Sequence, residues 1–381
     1  MESAHDLGPR RENVWREAWS LLRRNRDFRS FYLGQLISFA GDWFLVVALS
    51  GFVWDVTRSA ALVAAVFVAY NLPYGLVSFV GGPLADRLDR RMLMIVTNIA
   101  MGLLACGFFL VRDRSELWLV FALAAGISGV SALFEPAASA AVPNLVDPED
   151  LPAANVLSGS AWGTMLAVGA GIGGLVVNAY GNDVGFLVDA LSFFAAAALV
   201  FRIRRATSEP RGEHHVHPSL VAATTEAVRY SRRDHRLLAL YAVRLGAGFA
   251  LGVVALLPVL AISVYHAGDR GTGLLFAMRG VGSLIGPFLI RPMIRRDDRG
   301  RLLLAVILTP TIFTALYALL PWMPGIYLAG VAAMLAHLAG GAQWTLVTYS
   351  YQSIVPDHVL GRVFGFDGAL ITFTLSGSNA L

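Results

Sequence analysis

Long apolar stretches alternate with short, strongly charged ones along this chain. The apolar runs occupy 31–54, 60–80, 92–111, 117–137, 157–180, 184–203, 237–262, 271–290, 302–320 and 326–348, and another begins near Val363. Most reach the ~20 residues that a helix needs to cross a hydrocarbon core. Gly-Pro pairs and charged clusters punctuate them, as turns do at a membrane face. The pattern predicts an all-α polytopic membrane protein. Composition agrees, with 56% hydrophobic residues and a mean hydropathy of +0.61, well beyond a soluble domain. Met1 to Arg29 is charged throughout and lacks the apolar region of a signal peptide, so insertion is expected to use the first span itself. The single cysteine, Cys106, falls within an apolar run and is expected to be a small buried hydrophobe.

Charge refines the picture. All 30 basic residues are arginine, and the formal net charge is +4. With the N-terminus inside, seven arginines lie in 1–29, three in 81–91, eight in 202–236, five in 291–301 and one at Arg362. The opposite loops hold only Arg58, Arg112, Arg114 and Arg270. This asymmetry predicts a multi-pass protein of the cell inner (plasma) membrane with a cytoplasmic N-terminus. Trp54, Trp118, Tyr180, Tyr265 and Trp322 fall at the outer ends of spans, where aromatic belts sit. Residues 12–29 mix Trp15, Trp19, Leu21 and Leu22 with arginines, the pattern of an amphipathic helix on the inner surface.

One loop is especially specific. Gly82-Pro83-Leu84-Ala85-Asp86-Arg87-Leu88-Asp89-Arg90-Arg91 separates the second and third spans. It resembles the Gly-x-x-x-Asp-Arg-x-Gly-Arg-Arg signature of the major facilitator superfamily, with Asp89 in place of the usual glycine. Its opening recurs 204 residues later as Gly286-Pro287, followed by Arg291, Arg295 and Arg296. Leu145-Val146-Asp147-Pro148-Glu149-Asp150-Leu151 likewise resembles Ile354-Val355-Pro356-Asp357-His358-Val359-Leu360, at an offset of 209. Two agreeing offsets imply a duplication. The resemblance implies a major facilitator fold of two pseudo-symmetric six-helix bundles. The expected organisation is a cytoplasmic segment over 1–30, an N-terminal bundle over 31–203, a cytoplasmic linker over 204–236 and a C-terminal bundle over 237–381. The repeat arithmetic puts a twelfth span beyond residue 381, so the C-terminal bundle is expected to be truncated in its eleventh helix, with about four and a half helices.

Ionisable groups inside spans are costly and are therefore functional candidates. Asp42 and Asp189 lie at similar depths in the first and sixth spans. They are candidates for proton coupling, with Arg244 and Arg279 as opposite charges in the second half; a static ion pair and inward snorkelling of Arg244 are the competing readings. No acidic site is evident in the second half. For the signature loop, the resemblance implies a cytoplasmic gate in which Gly82 allows close approach and Asp86 faces the start of helix eleven near Gly361 and Arg362. Arg87, Arg90 and Arg91 are expected to seek acidic partners, with Glu135 the foremost candidate. Gly169, Gly171, Gly173 and Gly174 are similar to an antiporter glycine motif whose proline is here Ala170, although ordinary helix packing also accounts for them. Gln35, Asn71, Gln343, Trp344 and Tyr349 are candidates for lining a substrate cavity. Glu213-His214-His215-Val216-His217 has metal-ligating side chains but no second cluster to complete a site.

Longer stretches carry a narrower resemblance. Leu33-Gly34-Gln35 with Gly41-Asp42-Trp43, Leu72-Pro73-Tyr74, Phe134-Glu135-Pro136-Ala137 and Val188-Asp189-Ala190-Leu191-Ser192-Phe193 look like the macrolide-efflux and enterobactin-exporter-like branch, the transmembrane secretion effectors. That resemblance implies proton-driven export of a bulky amphiphilic small molecule. Inward symport, lipid flipping and a truncated, non-transporting protein remain as alternatives. No phosphate-binding loop or catalytic triad is present. The chain is therefore expected to be no enzyme, to use the proton gradient in place of a cofactor, to bind no metal or nucleic acid, and to act as a monomer.

Overall fold

The computed structural model of the chain describes residues 14–208, 225, 229–295 and 299–380. Among these, eight helical segments are long and apolar enough to cross a membrane. The histidine-rich run and most of the linker lie outside the described residues.

A short helix, α1 (Val14–Arg24), precedes the first bundle. It buries Ala18 and Leu21 and leaves Trp19 exposed, the two-faced pattern expected of residues 12–29. Six long helices follow: α2 (Arg26–Thr57), α3 (Ala60–Arg87), α4 (Arg90–Gly107), α5 (Leu117–Leu145), α6 (Leu151–Tyr180) and α7 (Asn182–Phe201). The second half holds α8 (His235–Leu251), α9 (Gly268–Arg295), α10 (Arg299–Leu319), α11 (Ile326–Ile354) and α12 (Asp357–Ala380). Between α8 and α9 the chain passes through a 3-10 segment, Gly252–Leu256, and a π-helical turn, Leu260–Val264. Pro258 interrupts the backbone donors there, so the seventh apolar run is not one regular helix.

Several helices outrun their apolar stretches. The fourth run ends at residue 137, yet α5 continues through Pro136 and Pro143 to Leu145. Local caps set the ends. The Asn25 side chain accepts from the Phe28 amide at 2.8 Å and donates to the Leu145 carbonyl at 2.9 Å, tying the start of α2 to the end of α5. Asp89 accepts from the Met92 amide at 2.7 Å and caps α4. Its backbone is extended, with φ −63°, so this loop has no need of the glycine usual in the signature, and the carboxylate contributes a cap.

Within the first half, α3 packs on α5 and α2 and α4 pack on α7; α9 and α10 pack on α11 in the second. The halves meet along α3–α12 and α6–α9. Small residues permit these crossings. A Cβ at Gly81 would sit 2.2 Å from the Ala132 carbonyl oxygen of α5, and one at Gly286 2.2 Å from that of Leu338 in α11. Cys106 is exposed, contrary to expectation, because it lies on the outward side of α4 while Met101 and Ala105 face the core.

Candidate functional site: a closed charged end and two buried charge centres

One set of close approaches between the halves lies at the arginine-rich end. A Cβ at Gly82 would lie 2.7 Å from the Arg362 Cα, and one at Gly365 would lie 2.8 Å from the Gly82 Cα. This contact brings Asp86 onto the first turns of α12. Its carboxylate accepts from the Gly361 amide at 2.8 Å, the Arg362 amide at 3.0 Å and Arg362 Nε at 3.0 Å. Those amides lie in the second turn of α12, toward the positive end of its dipole, where negative charge is favoured.

Arg90 is fully buried beside this contact. It donates to Asp357 Oδ1 at 2.6 Å, to the Asp357 carbonyl at 2.8 Å and to the Ala140 carbonyl at 2.9 Å. Asp357 is thus the acid that meets Arg90 from the opposite half, in place of the expected Glu135. Arg91 also departs from expectation. It donates to the carbonyls of Val200 and Phe201 and lies over the Phe201 ring, so it caps the C-terminus of α7, where a cation satisfies orphan carbonyls. Arg87 closes the last turn of α3. Deeper in the interface, Asn155 donates to Gln352 Oε1 at 2.6 Å, and Gln352 donates to the Ser139 carbonyl at 2.8 Å. The helix α1 reaches both halves, pairing Arg24 with Asp150 and Glu17 with Arg291.

The first buried charge centre lies wholly in the N-terminal half. Asp42 and Glu135 line a cavity of about 20 Å³ with Gln35, Ser38, Tyr70 and Ser131, room for a water molecule. Asp189 is fully buried beside it, with neither carboxylate oxygen hydrogen-bonded. None of the three carboxylates has an ion-pair partner among the described residues. Glu135 falls here, and not at the charged end, because α5 runs eight residues past its apolar stretch. The helices converge closely: a Cβ at Gly41 would come within 3.0 Å of Asp189 Oδ1.

The C-terminal half handles charge differently. Arg244 Nε pairs with Asp367 Oδ2 at 3.1 Å, and both side chains are buried. Tyr351 donates its hydroxyl to Asp367 at 2.9 Å. The Arg244 guanidinium sits 4.1 Å from the Trp344 ring centroid and donates to Thr348 Oγ1 at 3.3 Å. A buried acid therefore does exist in this half. Arg279 donates through Nε to His337 Nε2 at 2.6 Å, while His337 Nδ1 lies 3.0 Å from the Tyr317 hydroxyl. Its guanidinium lies 5.3 Å from the ring of Trp162, which belongs to α6 of the other half.

Other candidates scatter. Gly169 and Gly173 of α6 face Trp43 and Phe44 of α2, Gly174 meets nothing within 4 Å, and Gly171 lies in the same helix. Gln343 is buried and donates to the Val243 carbonyl at 3.3 Å, so it serves packing between α8 and α11. Asn71 is exposed, and Gln35 alone of the polar candidates reaches the acidic cavity. Sequence reasoning missed Asp357, Asp367 and His337. Asp357 stood inside the repeated loop motif, and Asp367 inside the last apolar run, so both had a usable signal.

A family model described as transmembrane secretion effector matches residues 17–378. Among curated relatives, the enterobactin exporter EntS of Citrobacter koseri is 25% identical over 92% of this chain and 84% of its own length. Macrolide efflux protein A of Streptococcus pyogenes is 23% identical over 91% of this chain and 86% of its own. Among solved structures, a bacterial homologue of the iron transporter ferroportin in an outward-facing state superposes with a TM-score of 0.70 at 16% identity, covering 93% of this chain and 91% of that one.

Proposed function

Since the chain belongs to the transmembrane secretion effector family of the major facilitator superfamily, we propose that it is a proton-driven exporter of a bulky amphiphilic small molecule. The observation that carries this reading is the cluster of Asp42, Glu135 and Asp189 around a water-sized cavity with no cation among the described residues to neutralise it. Carboxylates without a counter-charge inside membrane-spanning helices are costly, which marks them as candidate proton carriers. The cluster is therefore a proton-binding element. Relatives named for macrolide efflux and enterobactin export support outward transport.

Alternating access follows from the two ends. With the arginine-rich end taken as cytoplasmic by the positive-inside rule, this conformation is closed toward the inside. Its inner side is shut by Asp86 on α12 and by Arg90 on Asp357. Substrate leaves outward and a proton enters the cluster from the same side. Breaking the Asp86 and Arg90 contacts then opens the inner side, where the proton is released and new substrate binds. In this reading the proton gradient supplies the energy and the chain acts as a monomer in the inner membrane.

The test uses everted vesicles from cells expressing the chain, energised by respiration. Uptake of a macrolide, a cationic dye and an anionic dye is followed with and without a protonophore. Uptake of at least one compound should vanish with the protonophore and in Asp42→Asn. Uptake that survives both treatments, or none at all in vesicles that contain the protein, would overturn the reading.

A further inference from the structure

We propose that Arg279 is an anion-recognition point on the translocation path, taking the acidic head of an aromatic amphiphile whose rings stack on Trp162. This names a substrate class and rests on the exporter reading above.

Among the described residues the buried arginines each meet an acid, Arg291 among them, which pairs with Glu17. Arg90 meets Asp86 and Asp357, and Arg244 meets Asp367. Each is neutralised in place, as a static buried cation requires. Arg279 has no carboxylate partner among the described residues. Among the described residues its one hydrogen bond runs from Nε to His337 Nε2 at 2.6 Å. A histidine that accepts at Nε2 is the neutral tautomer protonated at Nδ1, which donates to the Tyr317 hydroxyl oxygen 3.0 Å away. His337 therefore orients the guanidinium without contributing charge. Phe313 and Tyr317 pack against the imidazole, with ring centroids 5.2 and 5.6 Å from it, so the support is rigid.

Held by Nε, the guanidinium keeps its Nη donors free of any protein acceptor among the described residues. That edge is the fork which binds carboxylate or sulfonate oxygens in pairs. The surroundings specify the rest of the ligand. Trp162 lies 5.3 Å and Phe276 5.7 Å from the guanidinium carbon, and Trp43 stands 6.4 Å from Trp162 in a tilted arrangement. Trp162 is 39% exposed, a large aromatic face left open where the halves meet. Cation–π contact eases the desolvation of Arg279 but leaves its charge uncompensated. An acidic head completes that pairing, an aromatic body covers Trp162, and a cationic head at the same spot is repelled.

Three probes with one aromatic body isolate the head group: pyrenebutyrate, pyrenebutanol and pyrenebutylammonium. Each is titrated into the full chain in lipid nanodiscs, with empty discs as blank, and saturable binding is read by tryptophan-to-pyrene energy transfer. A charge-assisted pair predicts that pyrenebutyrate binds about tenfold or more tightly than the alcohol, and the ammonium more weakly still. Arg279→Gln should erase that ranking and Arg279→Lys should keep part of it. Equal binding of all three probes by the unmodified chain would overturn the proposal without any variant having to fold. So would a preference for the acid that persists in Arg279→Gln. Binding is read without a proton gradient, so the two readings fail separately. An intact acid preference without proton-driven uptake sinks the exporter reading alone, and uptake without any preference sinks this one.

Discussion

Buried charge is arranged in opposite ways in the two halves of this molecule. In the N-terminal half, Asp42 and Glu135 line a cavity of about 20 Å³ with Asp189 buried nearby, and no cation pairs with them among the described residues. In the C-terminal half, Arg244 and Asp367 neutralise each other at 3.1 Å beneath Tyr351 and Trp344. The difference separates two uses of a costly residue. A paired charge holds helices together and resists change, whereas the carboxylates without a counter-charge are the element proposed above to carry protons. The two halves thus hold their buried charges in different ways.

Substitutions can break or sharpen that contrast. The largest effect is expected where a neutralised pair loses one member. Asp367→Asn leaves Arg244 buried without its counter-charge and should destabilise the purified protein by about 3–5 kcal/mol, seen as a large drop in thermal midpoint. Replacing both residues with leucine should recover most of the loss; if Asp367→Asn alone is harmless, the pair is not structural. The closed end comes next. Asp86→Asn weakens charge-assisted bonds worth about 1.5–3 kcal/mol and should shift the protein toward inner opening. An added Asn155→Cys in a background lacking Cys106 would then label faster from the cytoplasmic side, and an unchanged rate would refute the latch.

Smaller effects test packing and the unpaired acids. Gly82→Ala places a methyl 2.7 Å from the Arg362 Cα and should cost about 1–3 kcal/mol by overpacking, with the same labelling shift as Asp86→Asn. Asp189→Asn removes a charge that has no partner to lose, so its thermal midpoint should hold or rise while proton-coupled uptake falls. A midpoint drop as large as that of Asp367→Asn would erase the distinction between the halves. Gly174→Ala meets nothing within 4 Å and should stabilise α6 by up to about 1 kcal/mol through helix propensity. Loss of transport in that variant would mark Gly174 as a functional hinge.

Much of this was legible beforehand, and the failures have a common cause. The apolar runs located the helices because a hydrocarbon solvent demands internally satisfied backbone over a fixed length. Asp42 and Asp189 stood out because charge in such a run is expensive. Glu135 was misplaced because the apolar run stops before its helix does. A helix keeps going through polar residues when neighbouring helices cover them, as Asn25 covers the Leu145 carbonyl. Arg91 was given an acid to seek, although the open carbonyls of a helix end also satisfy a guanidinium. Those carbonyls carry no mark in the sequence.

What the sequence determined by itself is the membrane architecture: helix positions, the repeated loop motifs, the asymmetric arginines and the signature loop. These rest on local quantities, namely hydropathy, charge and turn chemistry summed over short windows. The tertiary structure alone decided which charges meet. Asp86 reaches Gly361 across 275 positions and Arg90 reaches Asp357 across 267, and Trp162 comes to lie against Arg279 from the opposite half. The physical reason is that a side chain's charge state and partner depend on the low-dielectric surroundings that distant helices build around it, and no window along the chain contains them.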